Sequence, residues 1–161
     1  MWRDGGTAYV YFTYGMHYCA NVVCWPEGEP GAVLLRALAP LSGLDEMAAR
    51  RYGTEEPVPG EPSGPEHPGV PRRPRRRWRP EELCSGPAKL CQAFSLDRTA
   101  DGYDLVTGHE GVVIVDDGTR PPREPANGTR IGLSKSSPAR AEPWRWWIPD
   151  EANVSTQRPS R

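Results

Sequence analysis

The sequence predicts an α+β fold in a single domain, and three observations lead there. Two runs of aromatic and β-branched residues flank a lone glycine in "YVYFTYGMHYCANVV", the pattern of two strands joined by a turn. Helical patterning is confined to two short windows, so helices are few. Nineteen prolines and 17 glycines among 161 residues imply long irregular connections. A chain of this length holds one domain with its own core. Its hydrophobic fraction of 37% is low for that size, so part of the chain is irregular or part of the core is missing.

Taken in order, residues 9–14 form the first strand, Gly15 marks a turn or bulge, and residues 18–23 return as the second strand of a hairpin. "GAVLLRALAP", residues 31–40, is a third strand whose apolar run is interrupted by one charge, Arg36. "SGLDEMAARRYG" is a short helix: Asp45 and Glu46 suit its first turn, Arg50 and Arg51 its last, and Gly53 stops it. Residues 53–80 differ in kind. Proline recurs about every third residue, which forbids helix and central strand alike, so this is an exposed, partly polyproline-like insert. Its end, "RRPRRRWRP", sets Arg72, Arg73, Arg75, Arg76, Arg77 and Arg79 around Trp78. It is either an arm that binds phosphates and stacks through Trp78, or a solvated loop.

"ELCSGPAKLCQAFSLD" is the second helix, with Ser85 as N-cap, Pro87 in its first turn, and Leu90, Cys91 and Phe94 on its inward face. Its N-terminal N–H groups with Lys89 nearby suit a phosphate. "GVVIVDDG" and "TRIGLS" read as strands, with turns at Asp117-Gly118 and Asn127-Gly128. "EPWRWWIP" is a last strand, and a polar tail occupies 151–161. The expected domain is therefore residues 1–150, interrupted by the insert.

A formal net charge of -1 gives the whole chain no strong pull on polyanions. Only Lys89 and Lys135 are lysines; every other fixed cation is arginine. No run approaches the ~20 apolar residues needed to cross a bilayer, and no signal peptide leads the chain, so no membrane partner is expected. Cys19, Cys24, Cys84 and Cys91 lack CxxC or finger spacing, which argues against a metal and for reduced, mostly buried thiols in the cytoplasm. His17, His67 and His109 are scattered. None of GxSxG, GxxxxGK, GxGxxG after a strand, or HExxH occurs. What remains is an aromatic hairpin, a phosphate-ready helix end and an arginine-rich loop, which together suggest a nucleic-acid surface.

Four stretches in order, "AYVYFTYGMHYCANVV", "AVLLRALAP", "LCSGPAKLCQAFSLD" and "RIGLSKSSPARAEPWRWWIP", resemble the alkyladenine (3-methyladenine, methylpurine) DNA glycosylase family over nearly the whole chain apart from the insert and the tail. The resemblance implies a mostly antiparallel curved sheet with a few helices and a protruding, DNA-intercalating β-hairpin. It implies base-excision repair: hydrolysis of the N-glycosidic bond of an alkylated or deaminated purine in double-stranded DNA after base flipping. By the family's pattern Tyr14 is the intercalating wedge and Met16 flanks it. Tyr11 stacks on the extruded base, and Asn21 opposes the exocyclic amine of guanine. Arg36 helps hold the reacting water and sugar-phosphate, while Ser85, Gly86 and Lys89 approach the DNA backbone. No cofactor or metal is implied. The chain is expected to be a monomer, cytoplasmic and nucleoid-associated. With two lysines, neither in the hairpin region, an amine-nucleophile (lyase) route is disfavoured.

One departure matters. The family's general-base glutamate lies in an E-T-E-A-Y-like segment upstream of the hairpin, and no such segment occurs here. The expectation is that Met1 is an internal methionine or that the chain is truncated, and that this chain alone is impaired as an enzyme. A lesion-binding protein without turnover, a general single-strand or RNA binder, and a thiol or zinc protein whose cysteines converge are the competing readings.

Overall fold

The computed structural model describes residues 1–53 and 78–154. Most of the Pro/Arg-rich insert, including Arg72 to Arg77, lies outside the described residues, as does the tail from 155 onward. Strand β1 (Ala8–Thr13) pairs antiparallel with β2 (His17–Val23) in a register running from Ala8 opposite Val22 to Thr13 opposite His17. The turn is tight. Tyr14 (φ 52) and Gly15 (φ 66) both adopt positive φ, and Met16 N–H donates to the Thr13 carbonyl at 3.1 Å. Two consecutive positive φ values give the hairpin turn whose twist matches the strands. Tyr14 is thus the turn itself rather than the last residue of β1.

Side chains alternate across the pair. Ala8, Val10 and Ala20 enter the core, and the outer edge of β1 is closed by the segment after residue 100. Ala8 N–H donates to the Tyr103 carbonyl at 2.8 Å, and Val10 N–H to the Asp101 carboxylate at 2.9 Å. The base of the hairpin is therefore held on both sides.

Strand β3 (Ala32–Leu34) adds to β2 with Asn21 opposite Leu34, but it is three residues long where the apolar run suggested ten. Leu35 N–H still reaches the Ala20 carbonyl at 3.0 Å; beyond it the chain leaves the sheet. Arg36 consequently sits on an irregular extension rather than in a strand.

Helix α3 (Pro87–Ala93) packs on β2, and helices α1 (Leu44–Tyr52) and α2 (Pro80–Leu83) pack on α3 and on each other. Leu83, Cys84 and Leu90 are fully or almost fully buried. Burial pushes the Cys91 thiol from its ordinary 9.0 up to about 11, so it stays a neutral, inert core group at neutral pH. Cys24, by contrast, is exposed. Two arginines expected only to complement the dipole of α1 instead tie the helices together. Arg50 Nη1 donates to the Ala93 carbonyl at 3.1 Å; Arg51 Nη1 donates to the carbonyls of Glu82 and Leu83. These carbonyls end α2 and α3, where intrahelical donors run out. Arg51→Ala is expected to lower unfolding free energy by about 1–3 kcal/mol in urea denaturation, since two carbonyls lose a charged donor; no loss would show them solvated instead.

Several local readings change. The N-cap of α3 is Gly86, not Ser85, whose hydroxyl faces the Glu82 carbonyl and the Lys89 ammonium; Pro87 does occupy the first helical position. Phe94 falls at the C-cap and is 36% exposed, and Ala93 takes the inward place. Trp78 packs against the core. "GVVIVDDG" and "TRIGLS" form no strands. The first finds only a turn bond, Gly111 N–H to the Gly108 carbonyl at 2.9 Å, and one longer-range bond, Ile114 N–H to the Leu105 carbonyl at 2.8 Å, and then Asp116 and Asp117 bend the chain by accepting from Gly118 and Thr119 N–H. Asn127-Gly128 lies inside strand β4 (Ala126–Gly128), paired with β5 (Arg145–Trp147), because the returning partner supplies the ladder. The result is an α+β domain of a three-stranded and a two-stranded antiparallel sheet with short helices. No described helix is long and apolar enough to cross a membrane, and the described residues contain no cluster of three potential metal ligands.

Candidate nucleic-acid interface

The β1–β2 pair presents Tyr9, Tyr11, Cys19 and Asn21 at facing register positions, opposite to the core face. The Tyr9 and Tyr11 rings are 5.4 Å apart, tilted by 33°. Tyr11 is half-buried and lies across from Cys19. Burial raises the Tyr11 phenol, with Cys19 adding to the shift, so it is a neutral ring and donor at neutral pH. Burial likewise raises Cys19, against a hydrogen bond from Tyr11 and the charge of Arg36.

Asn21 is 7% exposed, and its amide NH2 donates to the Tyr9 carbonyl at 2.9 Å. That bond spans the hairpin and fixes the amide's orientation. Arg36 is half-buried beside Tyr11 and Cys19. Burial lowers its pKa most, and repulsion from Arg145 and Arg130 adds to this, against the pull of Cys19. The principal charges acting on Tyr11, Cys19 and Arg36 belong to thiols, phenols and arginines; no carboxylate figures among them.

At the tip, Tyr14 is 74% and Met16 66% exposed. The Tyr14 hydroxyl donates to the Gly132 carbonyl at 2.5 Å, which ties the turn to the segment following β4. On the other side an open cleft of about 220 Å³ separates the hairpin from α3, with Met16, His17, Ala88 and Gln92 among its walls. His17 Nδ1 is buried there without a hydrogen-bond partner. Beside Ala88, Lys89 is half-buried and donates to Ser85 Oγ at 2.9 Å, leaving its other protons available. Tyr11 and Arg36 thus adjoin, as do Tyr14 and Met16; Ser85, Gly86 and Lys89 lie apart from them, at the start of α3, next to the cleft wall at Ala88. Arg130, Arg145 and Gly132 escaped notice in the sequence. The only local signal was the alternation of arginine and tryptophan in "PWRWW".

A family model described as methylpurine-DNA glycosylase (MPG) matches residues 1–152. Among curated proteins, one from Burkholderia lata named "Putative 3-methyladenine DNA glycosylase" is 43% identical over 155 residues, covering 96% of this chain and 62% of its own length. Relatives carrying the same name from Leifsonia xyli and Streptomyces avermitilis are 39% and 35% identical, with 62% and 63% of their lengths covered. The chain therefore spans less than two thirds of these proteins.

Proposed function

Since the chain belongs to the methylpurine-DNA glycosylase family, we propose that it recognises damaged purines in double-stranded DNA by extruding the nucleotide and filling the gap with Tyr14. One observation carries this reading: a large ring, 74% exposed, stands at the apex of a hairpin whose base is fixed on both edges. Exposing such a ring to water gains nothing for folding. Inserted between bases it gains about 1–3 kcal/mol of stacking, against an unstacking cost of a few kcal/mol. Met16 flanks the wedge, and Tyr11 stacks on the extruded base, whose positive or electron-poor ring suits a neutral phenol. Asn21, fixed by its bond to Tyr9, opposes an exocyclic amine. Lys89, with Ser85 and Gly86, meets the backbone across the cleft.

The chemistry proposed is hydrolysis of the N-glycosidic bond. Water oxygen bonds to C1′, the C1′–N bond breaks with its electron pair going to the base, and a water proton passes to a general base. Arg36 steadies the water and the sugar-phosphate. It is a poor proton acceptor, and among the described residues the principal charges acting on it belong to arginines, a thiol and a phenol, which supports the reading that this chain binds lesions better than it turns them over. The same observation supports the second reading, a lesion binder without turnover. Single-turnover excision of hypoxanthine from a duplex, run beside binding to an abasic-site analogue, tests both. Tight, lesion-selective binding with excision at least 100-fold slower than one of the full-length relatives is expected. Equal excision would overturn the impairment, and no lesion selectivity would overturn the recognition.

A further inference from the structure

Three guanidinium groups act on one another, one of them two residues from the Gly132 carbonyl that holds Tyr14. Arg145 stands in β5 opposite Gly128 and Arg130 follows β4, and both raise the potential at Arg36. All three are half-buried, and among the described residues none forms an ion pair with a carboxylate. Arg145 is held in place: its Nε donates to the Thr129 carbonyl at 3.3 Å, and its Cζ lies 4.2 Å from the centre of the Trp147 ring. Arg130 lies over Trp144 at 5.9 Å. Stacking on indole orients a guanidinium while leaving donors on its edge for another group. Like charges so arranged destabilise the fold unless something anionic shares the site.

The position of the cluster says which anion. Gly132, whose carbonyl takes the Tyr14 hydroxyl, is two residues from Arg130. A ring inserted from the minor groove, about 6 Å wide, is flanked by the phosphates of both strands. We propose that Arg130 and Arg145 form a phosphodiester clamp on the DNA strand beside the wedge, with Trp144 and Trp147 as the platforms that aim them. This rests on the wedge reading for its placement, but it makes a separate claim about backbone affinity.

The test is binding of the full chain to an undamaged duplex over a range of salt concentrations, where each phosphate contact contributes about 0.9 to the slope of log K against log salt. Arg130→Gln and Arg145→Gln are each expected to lower the slope by about 1, and the pair by about 2. Arg130→Lys, which keeps the charge, should restore the slope at that position. Unchanged slopes in both glutamine variants, or no duplex binding by the unaltered chain, would overturn the clamp. Because Arg145→Gln also removes the bond to the Thr129 carbonyl and the closer of the two ring contacts, Arg130→Gln alone is decisive if the former unfolds. Lowered slopes with no effect of Tyr14→Ser on lesion selectivity would retain the clamp and reject the wedge.

Discussion

Leu90→Ala is expected to lower the unfolding free energy by about 2–5 kcal/mol in urea denaturation. Leu90 is 1% exposed at the centre of α3, where that helix packs on β2 and α1. Truncation removes apolar contacts and leaves a cavity that a small domain closes only in part. Since a domain has only about 5–15 kcal/mol of stability in all, this one change takes a large share of it. The consequence reaches the interface, because α3 forms one wall of the cleft beside Met16 and carries Lys89. A change below 1 kcal/mol would mean that α3 is not part of the core.

The largest effect on recognition is expected at Tyr14. Tyr14→Ser should weaken binding to an abasic-analogue duplex by about 5- to 150-fold, the equivalent of losing 1–3 kcal/mol of stacking. Affinity for intact duplex should change little, because no phosphate contact is lost. Tyr14→Phe separates the two things the side chain does. It keeps the ring and loses the hydroxyl bond to Gly132, so lesion affinity should stay within a few-fold of the original. That bond positions the ring in the free protein. Equal weakening by serine and phenylalanine would make the Gly132 contact, rather than stacking, the source of affinity.

The hairpin was legible because aromatic and β-branched residues lie on both sides of Gly15, and a three-residue loop leaves few registers. The helix 44–52 was legible from its end charges and Gly53. Strand-like composition misled where no partner exists: residues 112–115 are apolar, yet they make one backbone bond before two aspartates turn the chain. At Asn127-Gly128 a turn dipeptide was drawn into a strand by its partner β5. Ser85 lost the N-cap to Gly86 because Lys89 and the Glu82 carbonyl engage its hydroxyl. In the candidate site, Tyr11, Tyr14, Met16 and Asn21 all belong to one hairpin, and the resemblance to the family, carried by that one motif, singled them out together. The coupling of Arg36 with Arg130 and Arg145 joins residues about a hundred positions apart, which no local pattern displays.

The most direct measurement of the central claim reads the gap itself. A duplex carrying 2-aminopurine next to an abasic analogue is fluorescent because its neighbour is missing, and a stacked ring quenches it. At saturating protein, quenching is expected with the unaltered chain and with Tyr14→Phe, and none with Tyr14→Ser. Equal quenching by the serine variant would show that some other group occupies the space, and Tyr14 would not be the wedge.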